Sequence, residues 1–226
     1  MTVAVFWDID GTLLWTGRAG IIAWERAVEE ILGARVDLSD LRTGGLTDYE
    51  IAGSLVGALA PGRSALLRPL VEAYERHLPQ CLPLRQGSVL PGVLEILSAL
   101  EQQGNVLSLL LTGNTRAGAA AKLSHYGLAR YFREGAFAEE GVARVGIARA
   151  AMDMARARVG ATGIEQAYVI GDTPHDVNCG RAVGARTVAV ASGAVPYEEL
   201  ARHEPWVLLP RLPGWAEFAA LIGLRG

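Results

Sequence analysis

Two aspartates, Asp8 and Asp10, follow directly on a short apolar run, Val3–Trp7, and are followed in turn by Gly11, Thr12, Leu13 and Leu14. Residues at i and i+2 of extended backbone lean to the same side, so the two carboxylates share one small volume where the run ends. Like charges this close raise each other's proton affinity unless a cation stands between them. The pair therefore calls for a metal ion, a shared proton, or both; the plain alternative is an Asp-Gly turn. Two later clusters also stand at the ends of apolar runs. Thr112-Gly113-Asn114-Thr115 follows Val106–Leu111, and Gly171-Asp172-Thr173-Pro174-His175-Asp176 follows Gln166–Ile170.

These clusters differ in what local structure explains. A hydroxyl at a strand end, a glycine that permits close approach, and the amides opening a helix together make a phosphate cradle, which Thr112, Gly113 and Asn114 supply. In the last cluster Thr173 can be an N-cap, Pro174 the first helical residue and Asp176 the acid at the third position. Asp172 precedes the cap and has no such structural duty. His175 reads as an exposed helix residue.

The elements that must position these groups follow from periodicity. Val3–Trp7 reads as a buried strand. Ile21, Ile22, Trp24, Ala27, Val28, Ile31 and Leu32 recur at helical spacing, with Gly33 as a stop. A polar stretch ends in Gly44-Gly45-Leu46-Thr47-Asp48, where Thr47 or Asp48 can cap a helix over 49–59, and a further helix is expected over 64–78. Residues 16–86 thus hold helices and no clear strand, too much for a single crossover. From Val89 strands and helices alternate: helix to about 103, strand 106–111, helix to about 126, a short strand within 131–138, helix 143–159, strand 166–170, helix, strand 186–191, edge strand 206–209 and a terminal helix 215–222. That order predicts an α/β fold, a doubly wound (Rossmann-like) parallel sheet, with its ligands at the carboxyl ends of the strands.

The 226 residues, half of them hydrophobic, suffice for one α/β domain with a small insertion. A net charge of −3 gives no pull toward nucleic acid. Cys81 and Cys179 lack metal-ligand spacing and are expected to be reduced. No stretch approaches the roughly 18 apolar residues of a membrane helix. Asp8 interrupts the first apolar run with no basic region before it, so a cytoplasmic location is expected. No Gly-rich loop carries a following lysine, which excludes a P-loop nucleotide hydrolase.

Asp8-Ile9-Asp10-Gly11-Thr12-Leu13-Leu14 resembles the first signature of the haloacid dehalogenase-like (HAD) hydrolase superfamily, and the Thr112 and Asp172 clusters resemble its second and fourth. The resemblance spans nearly the whole chain and is closest to the phosphoglycolate phosphatase-like branch. It implies a core of residues 1–15 and 87–226 with an inserted α-helical cap of residues 16–86. It implies Asp8 as nucleophile, Asp10 as general acid/base, Thr112, Gly113 and Asn114 on the phosphate, and Mg²⁺ held by Asp8, Asp10 (through its main-chain carbonyl), Asp172 and Asp176. Thr47 and Asp48 match the cap loop that faces the phosphate, although a capped turn explains them equally well; Arg18, Arg42, Tyr49 and Arg63 are further cap residues that could face the site. The third signature departs from the pattern, since no lysine follows Lys122. Its cation is expected to be Arg144, ahead of Arg149 or Lys122.

The reaction so implied is magnesium-dependent hydrolysis of a small phosphomonoester, phosphoglycolate-like or a sugar phosphate, through an aspartyl-phosphate. The alternatives are a sugar phosphomutase of the same fold, or a catalytically idle domain that binds phosphate or a partner. The expected partner is a small phosphorylated metabolite, with no nucleic acid and no membrane, acting on a monomer or homodimer.

Overall fold

The computed structural model describes residues 2–160 and 162–224. Among them, eight strands and nine α-helices run in the order Thr2–Trp7 (β1), Leu14–Trp15 (β2), Ala19–Leu32 (α1), Asp48–Leu59 (α2), Leu67–Cys81 (α3), Ser88–Val89 (β3), Val93–Glu101 (α4), Val106–Leu111 (β4), Arg116–His125 (α5), Gly135–Ala136 (β5), Arg144–Val159 (α6), Ile164–Gly171 (β6), Pro174–Val183 (α7), Arg186–Val190 (β7), Tyr197–Ala201 (α8), Val207–Leu209 (β8) and Trp215–Leu221 (α9). Six strands form one parallel sheet in the order β5-β4-β1-β6-β7-β8. The chain order reverses direction at β1, so the first carboxylate pair lies at the switch point where open α/β sheets bind ligands.

β1 is apolar throughout because both of its faces are covered. Val3, Val5 and Trp7 enter the core beneath α4, α5 and α9, and Ala4 and Phe6 enter the core beneath α6 and α7. Trp7 stacks on Phe218 of α9 with ring centroids 5.7 Å apart. Its indole nitrogen donates to the Ser108 hydroxyl at 2.9 Å, which satisfies the one polar atom the ring buries. Between β2 and β3, helices α1, α2 and α3 pack on a core of their own, centred on Trp24 and Tyr74 stacked at 4.0 Å.

The expected elements are found with boundary shifts and two differences in kind. A 3₁₀ turn over Ser64–Leu66 precedes α3, which runs through Pro79 to Cys81 rather than ending at Leu78. Leu78, Cys81 and Leu82 are all buried in the helical core, and their packing outweighs the lost hydrogen bond at the proline. The second difference is the ribbon of β2 and β3, which pairs Leu14 with Val89 and Trp15 with Ser88 where the chain leaves and re-enters the sheet domain. Strands of two residues carry no periodicity, and α8 at five residues is similarly too short to be read from spacing.

Beside the ribbon the two crossing segments touch. Gly17 has φ +59°, and a Cβ there would lie 2.4 Å from the Gln86 carbonyl oxygen. Gly17→Ala is expected to lower stability by about 1–3 kcal/mol, from positive φ and the backbone clash together. Gly53, inside α2, is the counter-case: a Cβ there would meet nothing within 4 Å, and Gly53→Ala is expected to raise stability by about 0.5–1 kcal/mol. Thermal melts of the two variants check both signs.

Candidate active site

The site is built from the ends of β1, β4 and β6 and the start of α6. Asp8 continues β1, its amide donating to Ile170 O at 3.0 Å, and its side chain is buried. The chain then turns sharply: Leu13 N donates to Ile9 O at 2.9 Å and Gly11 takes φ +79°. Glycine is required at 11 for a second reason, because a Cβ there would meet Asp172 Oδ2 at 2.3 Å. From the opposite side Gly193 closes on the same carboxylate, where a Cβ would lie 1.6 Å from Asp172 Oδ2. Ser192 Oγ ties that loop to Gly11 O at 2.7 Å, and Thr12 Oγ1 donates to Asp172 Oδ1 at 3.5 Å.

Asp8, Asp172 and Asp176 each offer a carboxylate oxygen within 4.8 Å of the others. Burial pushes the Asp8 and Asp172 carboxyls above their ordinary range, and their neighbouring carboxylates push further in the same direction. Arg144 opposes this shift. Its Nη2 lies 3.1 Å from Asp8 Oδ1 and 2.7 Å from Asp176 Oδ1. Burial works against the guanidinium charge, but Asp176 and Asp8 outweigh it, and the Arg144 pKa is raised. Asp176 Oδ2 meanwhile accepts from the Thr173 amide at 3.0 Å and hydroxyl at 2.7 Å, the reach-back of the third helical residue to its cap. The three acids form a set of hard oxygen donors that a single guanidinium does not neutralise, and that set fits Mg²⁺. Asp8 and Asp172 are the better placed to hold it, since both oxygens of Asp176 already have partners.

At the end of β4, Thr112 Oγ1 accepts from the Asn114 side-chain amide at 2.8 Å, and the same Nδ2 donates to Asp10 Oδ2 at 2.9 Å. Lys122, two turns into α5, donates to Asp10 Oδ2 at 2.6 Å and to Asn114 Oδ1 at 2.5 Å. Gly113 is compressed between elements, since a Cβ there would lie 2.7 Å from both Arg144 Nη1 and Leu46 O. Leu46 belongs to the loop that precedes α2, so the helical unit docks directly on this turn. Asp48 N donates to Gly113 O at 2.8 Å, Asp48 Oδ2 accepts from Thr115 N at 2.7 Å, and Arg144 Nη1 reaches Gly45 O at 3.3 Å. A cavity of about 680 Å³ lies between the helical unit and the sheet edge, with Asp8, Asp10, Asn114, Lys122, Arg144 and Asp172 on its wall.

Asp8, Asp10, Gly113, Asn114, Asp172 and Arg144 are therefore brought to one cavity. Thr112 is fully buried just behind it. Thr47 takes the capping alternative: its hydroxyl accepts from Glu50 N at 3.1 Å and Glu50 Oε2 accepts from Thr47 N at 2.7 Å, and it does not reach the cavity wall. Arg149 is exposed on α6, as is His175 on α7, whose ring packs against Gly45. Thr12, Ser192, Gly193 and the place of Lys122 escaped the sequence. Thr12 lay within the first signature and Lys122 among the candidate cations without their partners being legible, and Gly193, shortly after an apolar strand, meets an Asp172 that is distant in the chain.

Asp48 is buried, and burial lifts its carboxyl to about 6 from 3.8 against the opposing pull of Lys122 and the Thr115 amide. The folded state thus binds this proton more tightly than the unfolded chain. The stability so contributed is complete below 3.8 and lost as pH rises through about 6. Asp48→Asn does not titrate, so its stability relative to the parent is expected to climb across that window and level off above it, by an amount on the order of 3 kcal/mol. Parallel melts from pH 4 to 8 check the slope.

A sequence profile of haloacid dehalogenase-like hydrolases matches residues 5–181. The chain is 29% identical over 211 residues to "Probable phosphatase IndB" of Dickeya dadantii (strain 3937), covering 92% of this chain and 90% of that protein. Among solved structures it resembles "a predicted phosphatase" from Clostridium acetobutylicum with TM-score 0.73 at 19% identity, covering 98% of each chain. It also resembles "a predicted phosphoglycolate phosphatase" from Haemophilus somnus 129PT with TM-score 0.68 at 15% identity, covering 97% of this chain and 96% of that one. At such identities the structures share a fold. The profile match spans most of the chain, from within β1 to within α7, and the chain belongs to the haloacid dehalogenase-like hydrolase family.

Proposed function

We propose that this hydrolase is a magnesium-dependent phosphatase acting on a small phosphomonoester through an aspartyl-phosphate on Asp8. The observation that carries the reading is the division of labour between the two aspartates. Asp8 is buried against Arg144 with two further acids beside it, and Asp10 stands on the cavity wall, 42% exposed and tied through one oxygen. One carboxylate is placed to bond to phosphorus and the other to handle protons.

In the first displacement a carboxylate oxygen of Asp8 attacks phosphorus in line with the leaving oxygen, and the phosphorus–oxygen bond to that group breaks. Asp10 gives the departing alkoxide its proton. In the second, Asp10 takes a proton from water, the hydroxide oxygen bonds to phosphorus, and the acyl-phosphate bond breaks to return Asp8 and inorganic phosphate. Arg144 holds the phosphoryl oxygens through its planar fork; its buried Nε has no partner among the described residues and is free to donate. The Gly113 turn and the remaining proton of the Thr112 hydroxyl complete the cradle, with the Asn114 amide engaged by Thr112 and Asp10 beside it. Asp8, Asp172 and the Asp10 carbonyl, with Asp176 behind, would hold Mg²⁺, which would supply charge neutralisation of the nucleophile and the phosphate.

The α1–α3 unit, residues 16–86, acts as a cap over the core of residues 1–15 and 87–226. Its docking through Gly45, Leu46 and Asp48 is the closed arrangement, which excludes bulk water, and opening at the ribbon releases product. The substrate is a small phosphorylated metabolite, since the cavity of about 680 Å³ is shared between phosphate site and leaving group.

Hydrolysis of p-nitrophenyl phosphate with and without Mg²⁺ tests the reading. Turnover is expected to require the metal and to fall at least about 10³-fold in Asp8→Asn; turnover surviving that change sinks the mechanism. Arg144→Lys, which keeps charge and loses the fork between Asp8 and Asp176, is expected to lower kcat/KM by about 10–100-fold with KM rising. Adding a sugar acceptor discriminates a phosphomutase, which would return phosphorylated sugar in place of inorganic phosphate.

A further inference from the structure

Lys122 is the one lysine of the chain, among twenty arginines, and it is 5% exposed. Its side chain runs back toward the start of α5, as helical side chains do. That path ends on Asp10 Oδ2 at 2.6 Å and Asn114 Oδ1 at 2.5 Å. An ammonium only donates, so the amide of Asn114 is oriented with its oxygen toward Lys122 and its nitrogen toward Asp10 and Thr112. Asp10 Oδ2 is consequently held from two directions, by Lys122 and by Asn114 at 2.9 Å. Oδ1 of the same carboxylate accepts no hydrogen bond among the described residues, in a side chain 42% exposed to the cavity.

A group that gives a proton in one displacement and takes one in the next must keep its working oxygen in one place while the leaving group is exchanged for water. We propose that Lys122 is the positioning residue of Asp10: with Asn114 it pins Oδ2 and so presents Oδ1 to both reacting oxygens in turn, without itself touching the phosphate. The inference rests on the reading of Asp10 as acid/base. It also accounts for the residue type. A compact ammonium can point single bonds at acceptors on two different residues in a buried space, whereas a guanidinium is planar, wider and built for paired acceptors on one group. Arg144, whose Nη2 lies between Asp8 and Asp176, serves the other aspartate of the pair, and the two cations divide the site, Lys122 with Asp10 and Arg144 with Asp8.

The test separates the two displacements. With p-nitrophenyl phosphate the leaving phenolate departs without a proton, so the first displacement does not need Asp10; with an alkyl phosphate both displacements do. Rapid-quench kinetics of Lys122→Met is expected to give a burst of one equivalent of p-nitrophenolate per enzyme, absent in the parent, followed by turnover slowed about 10²-fold. With the aryl substrate KM should fall in step with kcat, so that kcat/KM changes less than about threefold, whereas alkyl phosphate hydrolysis should lose kcat/KM as well. Lys122→Gln, which keeps length and one donor, is made alongside in case the methionine variant does not fold, and the same burst is expected of it. A purely structural lysine would depress both substrates equally without a burst, and a phosphate-binding lysine would raise KM; either pattern, or parental kinetics, overturns the inference alone. Absence of parental turnover, or an Asp10→Asn variant that behaves as the parent, overturns the underlying reading as well.

Discussion

Three carboxylates crowded into a buried space at the edge of a parallel sheet are the constraint around which this molecule is arranged. Burial and the neighbouring carboxylates push the Asp8 and Asp172 carboxyls up in the same direction, with Asp176 beside them, so the cluster calls for positive charge in its midst. Arg144 supplies one charge and bridges Asp8 to Asp176. The remaining deficit of positive charge is what makes the cluster a candidate magnesium site. Much that surrounds the cluster serves to let it close: Gly11 and Gly193 are bare because a methyl group on either would displace Asp172.

The same economy of space governs the helical unit. Its loop reaches the sheet edge only because Gly113 has no side chain, and the contact is made largely by backbone: Gly45 O with Arg144 and Asp48 N with Gly113 O. Asp48 adds its carboxylate at the first turn of α5, where the helix dipole favours negative charge. The unit has a hydrophobic core of its own, is joined to the sheet domain by two short strands and is docked at this turn through few hydrogen bonds. That is the property the proposed opening and closing of the cap requires.

Legibility of the site followed the physics of each residue. Asp172 was readable because a carboxylate at a strand end with no capping duty has no cheaper explanation, and Asp8 and Asp10 because two carboxylates at one strand end ask for more than an Asp-Gly turn does. Asp176 was readable twice over, as helix cap and as site acid, and in the structure one oxygen is turned to Thr173 and the other to Arg144. Thr47 lay open between a cap and a substrate contact, and the hydrogen bonds with Glu50 place it in the cap. Lys122 stood out only as a missing lysine further on, since nothing in helical spacing says that a cation eight residues beyond Asn114 will fold back onto it.

The amino-acid sequence by itself determined the sheet, its covering helices, the inserted helical stretch and the acids at the strand ends, because apolar periodicity and local turn chemistry act between near neighbours. Only the tertiary structure decided which cation faces which acid, how the helical unit meets the turn at Gly113, that a two-strand ribbon joins the two parts, and that α3 continues through Pro79. Those outcomes depend on contacts between residues far apart in the chain, where burial and Coulomb interaction at a few ångströms outweigh any local preference.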